Sequence, residues 1–342
     1  MSAMSGSVEI ATAALRQAVY YLDRSLAPAP KVRAFRTAMK VVESLDDSDL
    51  VHRVAAGTIT ELDGIGPSTG AVITEAFSDA PGGYLAKLEK STRLDVGEGA
   101  ELRSRLRGDC HLHSTWSDGG ASIEDMARTA ISLGHEYMVL TDHSPRLTVA
   151  HGLTLERLEQ QRIEIERLNE LLAPFRILRG CEVDINEDGS LDHPDDVLAG
   201  LDIVVASVHS KLKMPAEEMT RRMVMAVANP HVDILGHCTG RQIVGTNRAP
   251  SQFDAEIVFA ACARFGTAVE INCRPERQDP PDELLALAQE WDCVVSIDTD
   301  AHAPGQLEWQ GSGCDKAVRH GIADDAIINC MSADDLLAWA AN

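Results

Sequence analysis

The sequence predicts a distorted (β/α)7 barrel over residues 108–342, preceded by a small all-α helix-hairpin-helix domain over 1–92 and a linker over 93–107. Three observations carry this fold class. From residue 108 onward short apolar runs alternate with helical periods, the signature of a parallel sheet wrapped by helices. Ligand-type residues fall at the ends of those runs, where barrels of this kind build their sites. Before residue 92 only helical periods occur, punctuated by Pro28-Ala29-Pro30 and by Gly64-Ile65-Gly66.

The strands are expected at 109–113, 137–142, 176–184, 202–209, 232–237, 267–272 and 293–298. Seven strand-helix units favour a closed barrel over an open sheet. Between them the clearest helices run over 122–133, 155–172, 216–228 and 252–265. In the N-terminal domain helices are expected over 8–27, 31–45 and 48–56, and the Gly-rich stretch from Leu62 opens onto another.

At 342 residues, with 44% apolar and 25% charged side chains, the chain can bury a sizeable core. No apolar stretch reaches the roughly 18–20 residues of a membrane span, and Met1–Ile10 lacks the pattern of a signal peptide. Cytoplasm is the expected compartment, and the eight cysteines, none in a CxxC pair, read as reduced and mostly buried. The net charge of −22 is uneven: residues 1–107 hold 13 basic against 14 acidic residues, residues 108–342 hold 18 against 39. Such an acidic barrel disfavours non-specific nucleic-acid binding, and bound divalent cations would cancel part of its charge.

His111 and His113 stand two apart on the first strand, so both imidazoles share one face and Cys110 and Leu112 point the other way. Asp118 follows in a Ser-Asp-Gly loop, His143 ends the second strand, and Glu182 lies in the third. His209 and His237 end the fourth and fifth, and Asp300 and His302 follow the seventh. Six of the twelve histidines thus meet three carboxylates on one rim, a donor set for two or three divalent ions of the zinc, manganese or iron type. The other six histidines read as ordinary core or surface groups. Cations held close together lower the pKa of water and neutralise phosphoryl oxygens, so the rim points to hydrolysis of phosphate esters. Lys211, Arg241, Arg274 and Arg277 are near enough in sequence to contact phosphate, Arg241 foremost because it lies four residues from His237. Gly64, Ile65 and Gly66 fit a hairpin whose backbone could approach a DNA phosphate, with Lys31 and Arg33 as nearby cations.

Several segments resemble the polymerase and histidinol phosphatase superfamily, and most closely the C-terminal phosphoesterase domain of bacterial X-family DNA polymerases. They are Asp109-Cys110-His111-Leu112-His113-Ser114-Thr115-Trp116-Ser117-Asp118-Gly119, Leu140-Thr141-Asp142-His143-Ser144 and Arg179-Gly180-Cys181-Glu182-Val183-Asp184-Ile185. In the same order follow Ala206-Ser207-Val208-His209-Ser210, Gly236-His237-Cys238-Thr239-Gly240-Arg241, Glu270-Ile271-Asn272 and Asp300-Ala301-His302. Cys238 stands where the family often has proline. Residues 8–90 resemble the N-terminal helical module of the same polymerases, but about 17 residues between the two regions leave no room for a polymerase core. The resemblance implies three metals: one on His111, His113, Glu182 and Asp300, one on Glu182, His209 and His237, and one on Asp118, His143 and His302.

The function expected on these grounds is metal-dependent phosphoesterase action at DNA 3′ ends, as a 3′–5′ exonuclease or 3′-phosphatase in repair, without polymerase activity. DNA would engage through the N-terminal domain, and no membrane partner is expected. Two alternatives stand beside it. One is a phosphatase acting on histidinol phosphate or a nucleotide, which the acidic barrel favours. The other is a non-catalytic DNA-binding repair scaffold.

Overall fold

Two units make up the chain in the computed structural model, residues 1–95 and 96–342, with residues 6–78, 82–95, 97–245 and 247–341 described. The first unit carries α1 (Ser7–Arg24), α2 (Ala29–Glu43), α3 (Asp47–Ala56), α4 (Pro67–Glu75) and α5 (Tyr84–Thr92). Pro28 caps α2 and Pro30 occupies its first turn, where a missing N–H costs nothing. One core joins the helices: Leu15 and Leu22 of α1, Phe35 and Val42 of α2, Leu50 of α3, Ile73 of α4 and Leu88 of α5. Each such side chain contributes about 1.5–3 kcal/mol on burial. The hairpin between α3 and α4 turns at Gly64, whose φ of +90° suits glycine alone; an added Cβ would also lie 3.0 Å from Thr37 Cγ2.

The second unit opens with α6 (Ala100–Arg105), where the sequence suggested a linker. Leu102 and Leu106 are buried and Gly99 N–H donates to Asp315, so a short amphipathic segment was hidden among charged residues. The barrel then runs β1 (Gly108–Leu112), α7 (Ile123–Ser132), β2 (Tyr137–Leu140), α8 (Leu155–Leu172), β3 (Arg176–Asp184), α9 (Asp195–Leu198) and β4 (Ile203–Ser207). It continues with α10 (Ala216–Val227), β5 (Ile234–Leu235), α11 (Ala255–Phe265), β6 (Ala268–Asn272), α12 (Asp282–Glu290), β7 (Val295–Asp298), α13 (Gln310–Arg319) and α14 (Ala333–Ala340). The seven strands of the described residues pair in parallel in chain order, and every one is buried on both faces except at two positions of β3.

Closure between β1 and β7 is partial. Leu112 bridges Ala301 and His113 N–H donates to the Ala301 carbonyl at 2.8 Å. Lower in the seam carboxylates take the place of a ladder: Cys110 N–H donates to Asp298 at 2.7 Å, and Thr299 Oγ donates to Asp109 at 2.5 Å. Inside, Cys110, Val139, Leu178, Val205, Ile234 and Ala268 come from six successive strands and fill the barrel, with Ile328 and Leu336 closing its floor. Leu112 instead packs outward on Ile123 and Met126 of α7. The expected alternation of Cys110 against His111 therefore fails, because β1 is irregular between Asp109 and Leu112 and a bulge there re-aims side chains. Among the described residues, no helix is long and apolar enough to cross a membrane.

Candidate metal centre

Of the nine predicted ligands only His111 and Glu182 lie within strands; the rest follow them by one to six residues. His113 comes one residue after β1, and Asp118 stands in the loop beyond it. His143 lies three residues after β2, His209 two after β4, and His237 two after β5. Asp300 and His302 come two and four residues after β7. All nine converge on the rim formed by the C-terminal strand ends.

Glu182 is the centre, 1% exposed and facing five imidazoles. Its Oε2 lies 2.9 Å from His143 Nδ1, 3.3 Å from His111 Nε2 and 3.5 Å from His113 Nε2. Its Oε1 lies 2.9 Å from His237 Nε2 and 3.1 Å from His209 Nε2. Burial alone would raise this carboxyl, but the imidazoles of His209, His111 and His143 outweigh it and hold it well below the ordinary range. Asp300 behaves alike: burial opposes ionisation, and Arg274 with the neighbouring imidazoles and Arg277 draws it well down. Asp300 takes the left-handed conformation (φ +51°), and its Oδ1 lies 3.5 Å from His113 Nε2.

Three groups of donors lie close enough to share an ion: His113, Asp118, His143 and His302; His111, His113 and Glu182; and His143, Glu182 and His209. They overlap the implied sets but share residues differently, His113 joining Asp118, His143 and His302 as well as His111 and Glu182. His143 belongs with Glu182 and His209 as well as with Asp118, whereas His237 and Asp300 reach the cluster through their contacts with Glu182 and His113.

Five buried ring nitrogens in this cluster have no hydrogen-bond partner: His111 Nε2, both nitrogens of His113, His143 Nδ1 and His237 Nδ1. A buried polar atom left so costs about 1–3 kcal/mol, and a cation would satisfy these lone pairs at once. Burial and the imidazoles of His302 and His143 keep His113 neutral, the form a ligand needs. Burial and the Arg277 charge bring His237 down to about 4. The donor set fits divalent ions.

Two carboxylates that the strand-end pattern did not single out stand behind the imidazoles. Glu270 Oε1 lies 2.6 Å from His111 Nδ1, and its Oε2 accepts the His237 N–H at 2.5 Å. Asp184 Oδ1 lies 3.1 Å from His209 Nδ1. A proton held on Nδ1 by such a carboxylate leaves Nε2 as the lone pair facing the cluster. Burial disfavours charged imidazole, yet Glu182 and Glu270 raise His111 well above its usual value, and Glu182 and Asp184 lift His209 to about 9. Glu182 and Asp184 stand two apart on β3, and this period of two was the signal available in the sequence.

The basic residues differ in role. Arg241 is committed elsewhere: its Nε donates to the Arg277 carbonyl at 2.9 Å and its Nη2 to Gln278 O, so it braces the loop after β6. The sequence placed it foremost for phosphate because nearness along the chain says nothing of where a guanidinium points. Arg277 Nε lies 3.3 Å from Asp300 Oδ2, and Arg274 donates to the Asp300 carbonyl at 3.0 Å. Lys211 is exposed in a left-handed turn just past His209. His151, also exposed and left-handed, caps a short turn.

In the helical unit Gly64 and Gly66 are exposed, but Ile65 is a core residue at 4% exposure and not a surface contact. Its N–H donates to the Leu62 carbonyl, and the Gly66 N–H donates to Thr69 Oγ at 2.9 Å, so both amides are satisfied within the hairpin. Lys31 and Arg33 are exposed on α2.

Fold and rim together define the class: a parallel α/β barrel with a polynuclear donor set at its C-terminal end. The chain belongs to the PHP domain family, which matches residues 109–290. Over 251 residues, 73% of the chain, it is 42% identical to DNA polymerase/3'-5' exonuclease PolX of Bacillus subtilis (strain 168), and this match spans 44% of that protein's length. It is 30% identical over 233 residues to a protein of Thermoanaerobacter sp. (strain X514) named Probable phosphatase, covering 65% of the chain and 89% of that protein. Among solved structures, histidinol phosphate phosphatase from Lactococcus lactis, complexed with zinc, L-histidinol and phosphate, aligns with a TM-score of 0.45 at 17% identity, over 62% of this chain and 94% of that one.

Proposed function

We propose that the chain is a metal-dependent phosphoesterase acting at DNA 3′ ends, releasing mononucleotides or terminal phosphate, in the cytoplasm and without polymerase activity. The observation that carries the hydrolytic reading is Glu182 facing five imidazoles, with buried ring nitrogens that lack hydrogen-bond partners and that a cation would satisfy. In this reading His111, His113, Glu182 and Asp300, then Glu182, His209 and His237, then Asp118, His143 and His302 hold two or three zinc, manganese or iron ions. When bound, such ions lower the pKa of water towards neutrality and offset charge on phosphoryl oxygens. Glu270 and Asp184 hold the Nδ1 protons of His111 and His209 and keep their Nε2 atoms turned inward. Arg277 and Arg274, beside Asp300, are the cations nearest the cluster and take the phosphate charge that remains, with Lys211 at the mouth. Arg241 holds the loop that carries Arg277.

The DNA part rests on the 42% identity to a polymerase/exonuclease and on the exposed hairpin glycines. A second reading, a phosphatase for small monoesters, is favoured by the −21 charge of residues 108–342 and by hairpin amides already satisfied internally. One assay separates them. The chain loaded with manganese or zinc is given 3′-end-labelled single-stranded and recessed DNA, with p-nitrophenyl phosphate in parallel. The DNA reading expects chelator-sensitive release from the label. Turnover of p-nitrophenyl phosphate with intact DNA establishes the second reading, and turnover of neither overturns both.

A further inference from the structure

We propose that Asp142 is a positioning residue that assembles the outermost part of the donor cluster, and that without it one ion is lost while the rest remain. This rests on the metal reading above. Asp118 differs from the other candidate ligands: it sits on a loop rather than near a strand end, and its side chain is 34% exposed against 20% or less for the others. Its Oδ1 lies 3.5 Å from His143 Nε2 and 3.3 Å from His302 Nε2. No strand pairing fixes such a residue, so something else must.

That something is a buried carboxylate one residue before His143. Asp142, 2% exposed, makes no ion pair with a lysine or arginine among the described residues and accepts five hydrogen bonds instead. Its Oδ1 accepts the Ser114 N–H at 2.8 Å, the Ser117 N–H at 3.2 Å and the Ser117 hydroxyl at 2.5 Å. Its Oδ2 accepts the Ser114 hydroxyl at 2.6 Å and Gln161 Nε2 at 2.7 Å. Ser117 immediately precedes Asp118, so the carboxylate that carries His143 on one side grips the Asp118 loop on the other. The loop closes on itself as well: Gly119 N–H donates to the Ser114 carbonyl at 2.9 Å, and a Cβ on Gly119 would lie 2.7 Å from that carbonyl.

Helix α8 completes the clamp. Gln161, itself buried, reaches Asp142; Trp116 Nε1 donates to Glu164 at 2.8 Å; and Arg157 donates to the Trp116 carbonyl. The loop is therefore held from one helix directly at Trp116, by two bonds, and through Asp142 by a third. Buried carboxylates brace two other ligand loops in the same manner, Asp109 through Thr299 beside Asp300 and Asp279 through Thr239 beyond His237. The Asp142 clamp ties the His143 segment to the loop that carries Asp118.

The test reads metal content rather than hydrolysis. Full-length wild type, Asp142→Ala, Asp142→Asn and Ser117→Ala proteins are loaded with manganese or zinc, desalted and analysed for metal per chain. Asp142→Ala is expected to lose one equivalent, with the remaining ions as resistant to chelator as in wild type. Asp142→Asn should regain it, because the amide oxygen can keep the Oδ1 contacts while Gln161 turns its own amide to accept. Ser117→Ala should bind the most weakly held ion several-fold less tightly. If Asp142→Ala fails to fold, the serine variant decides alone. Wild-type stoichiometry and affinity in Asp142→Ala, or in Ser117→Ala when the first does not fold, overturns the clamp. Loss of every ion from folded Asp142→Ala overturns it too. A wild-type chain that takes up no metal at all overturns instead the reading on which it rests.

Discussion

Asp23 of the helical unit and the two rim acids of the barrel, Glu182 and Asp300, are all buried and behave in opposite ways. In the helical unit Asp23 is buried beside Arg36, 3.3 Å away, and burial still lifts its carboxyl to about 6. In the barrel Glu182 and Asp300 are buried more deeply, yet both are held well below the ordinary range. The difference lies in the company: one half-exposed guanidinium in the first case, a ring of imidazoles and two guanidinium groups in the second. Burial raises a carboxyl unless enough positive charge surrounds it. Asp23 is a tolerated structural acid, whereas Glu182 is kept ionised at a place where an anion has work to do.

The largest expected effect breaks the barrel side of this contrast. Glu182→Gln removes the one charge shared by five imidazoles, and hydrolysis should fall by more than the roughly 10–100-fold typical of losing an outer partner. Activity within a few-fold of wild type, measured on p-nitrophenyl phosphate with saturating metal, contradicts the central role of Glu182. Glu270→Gln sharpens the same side. It leaves every proposed ligand in place but weakens the hold on His111 Nδ1, so metal affinity should drop about 10–100-fold by calorimetry.

The helical side yields smaller numbers. Gly64→Val forces a branched side chain into φ +90° against Thr37, and should destabilise that unit by about 1–3 kcal/mol in denaturant unfolding. Monoester turnover by the barrel should stay unchanged, and a loss of turnover refutes the independence of the rim chemistry from the hairpin. Asp23→Asn gives the smallest effect. The folded value of about 6 lies above the ordinary 3.8, so Asp23 supports folding fully below pH 4 and withdraws that support as pH rises through 6. The asparagine variant should gain about 2 kcal/mol on wild type as pH rises from 4 to 7. A gap that does not open with pH rules out a raised Asp23.

How much of this was legible in the sequence follows the same division. Strands with both faces buried and helices with strong periods announce themselves, so β3 and α8 fall on the residues expected. Most of the expected ligands converge because barrel topology carries strand ends to one rim, whereas Asp118 depends on how its loop is held. What sequence spacing could not say is where a flexible side chain points or whose amide is already bonded. Arg241 reaches backward to carbonyls of its own supporting loop, and the Gly66 amide is occupied by Thr69. Glu270 and Asp184 stood in the resembling segments but not among the expected site residues, because an acid inside an apolar strand looks alike whether it meets an ion or an imidazole. Helix α6 was missed because Leu102 and Leu106 are too few to mark a period amid charged neighbours.

Crystals of the wild-type chain soaked in manganese or zinc, with anomalous difference maps recorded at the matching absorption edge, address the core of the account directly. At least two peaks are expected about 2.0–2.3 Å from imidazole nitrogens and carboxylate oxygens, one or more of them bonded to Glu182. A rim without anomalous density after soaking, or ions bound only away from Glu182, would contradict it.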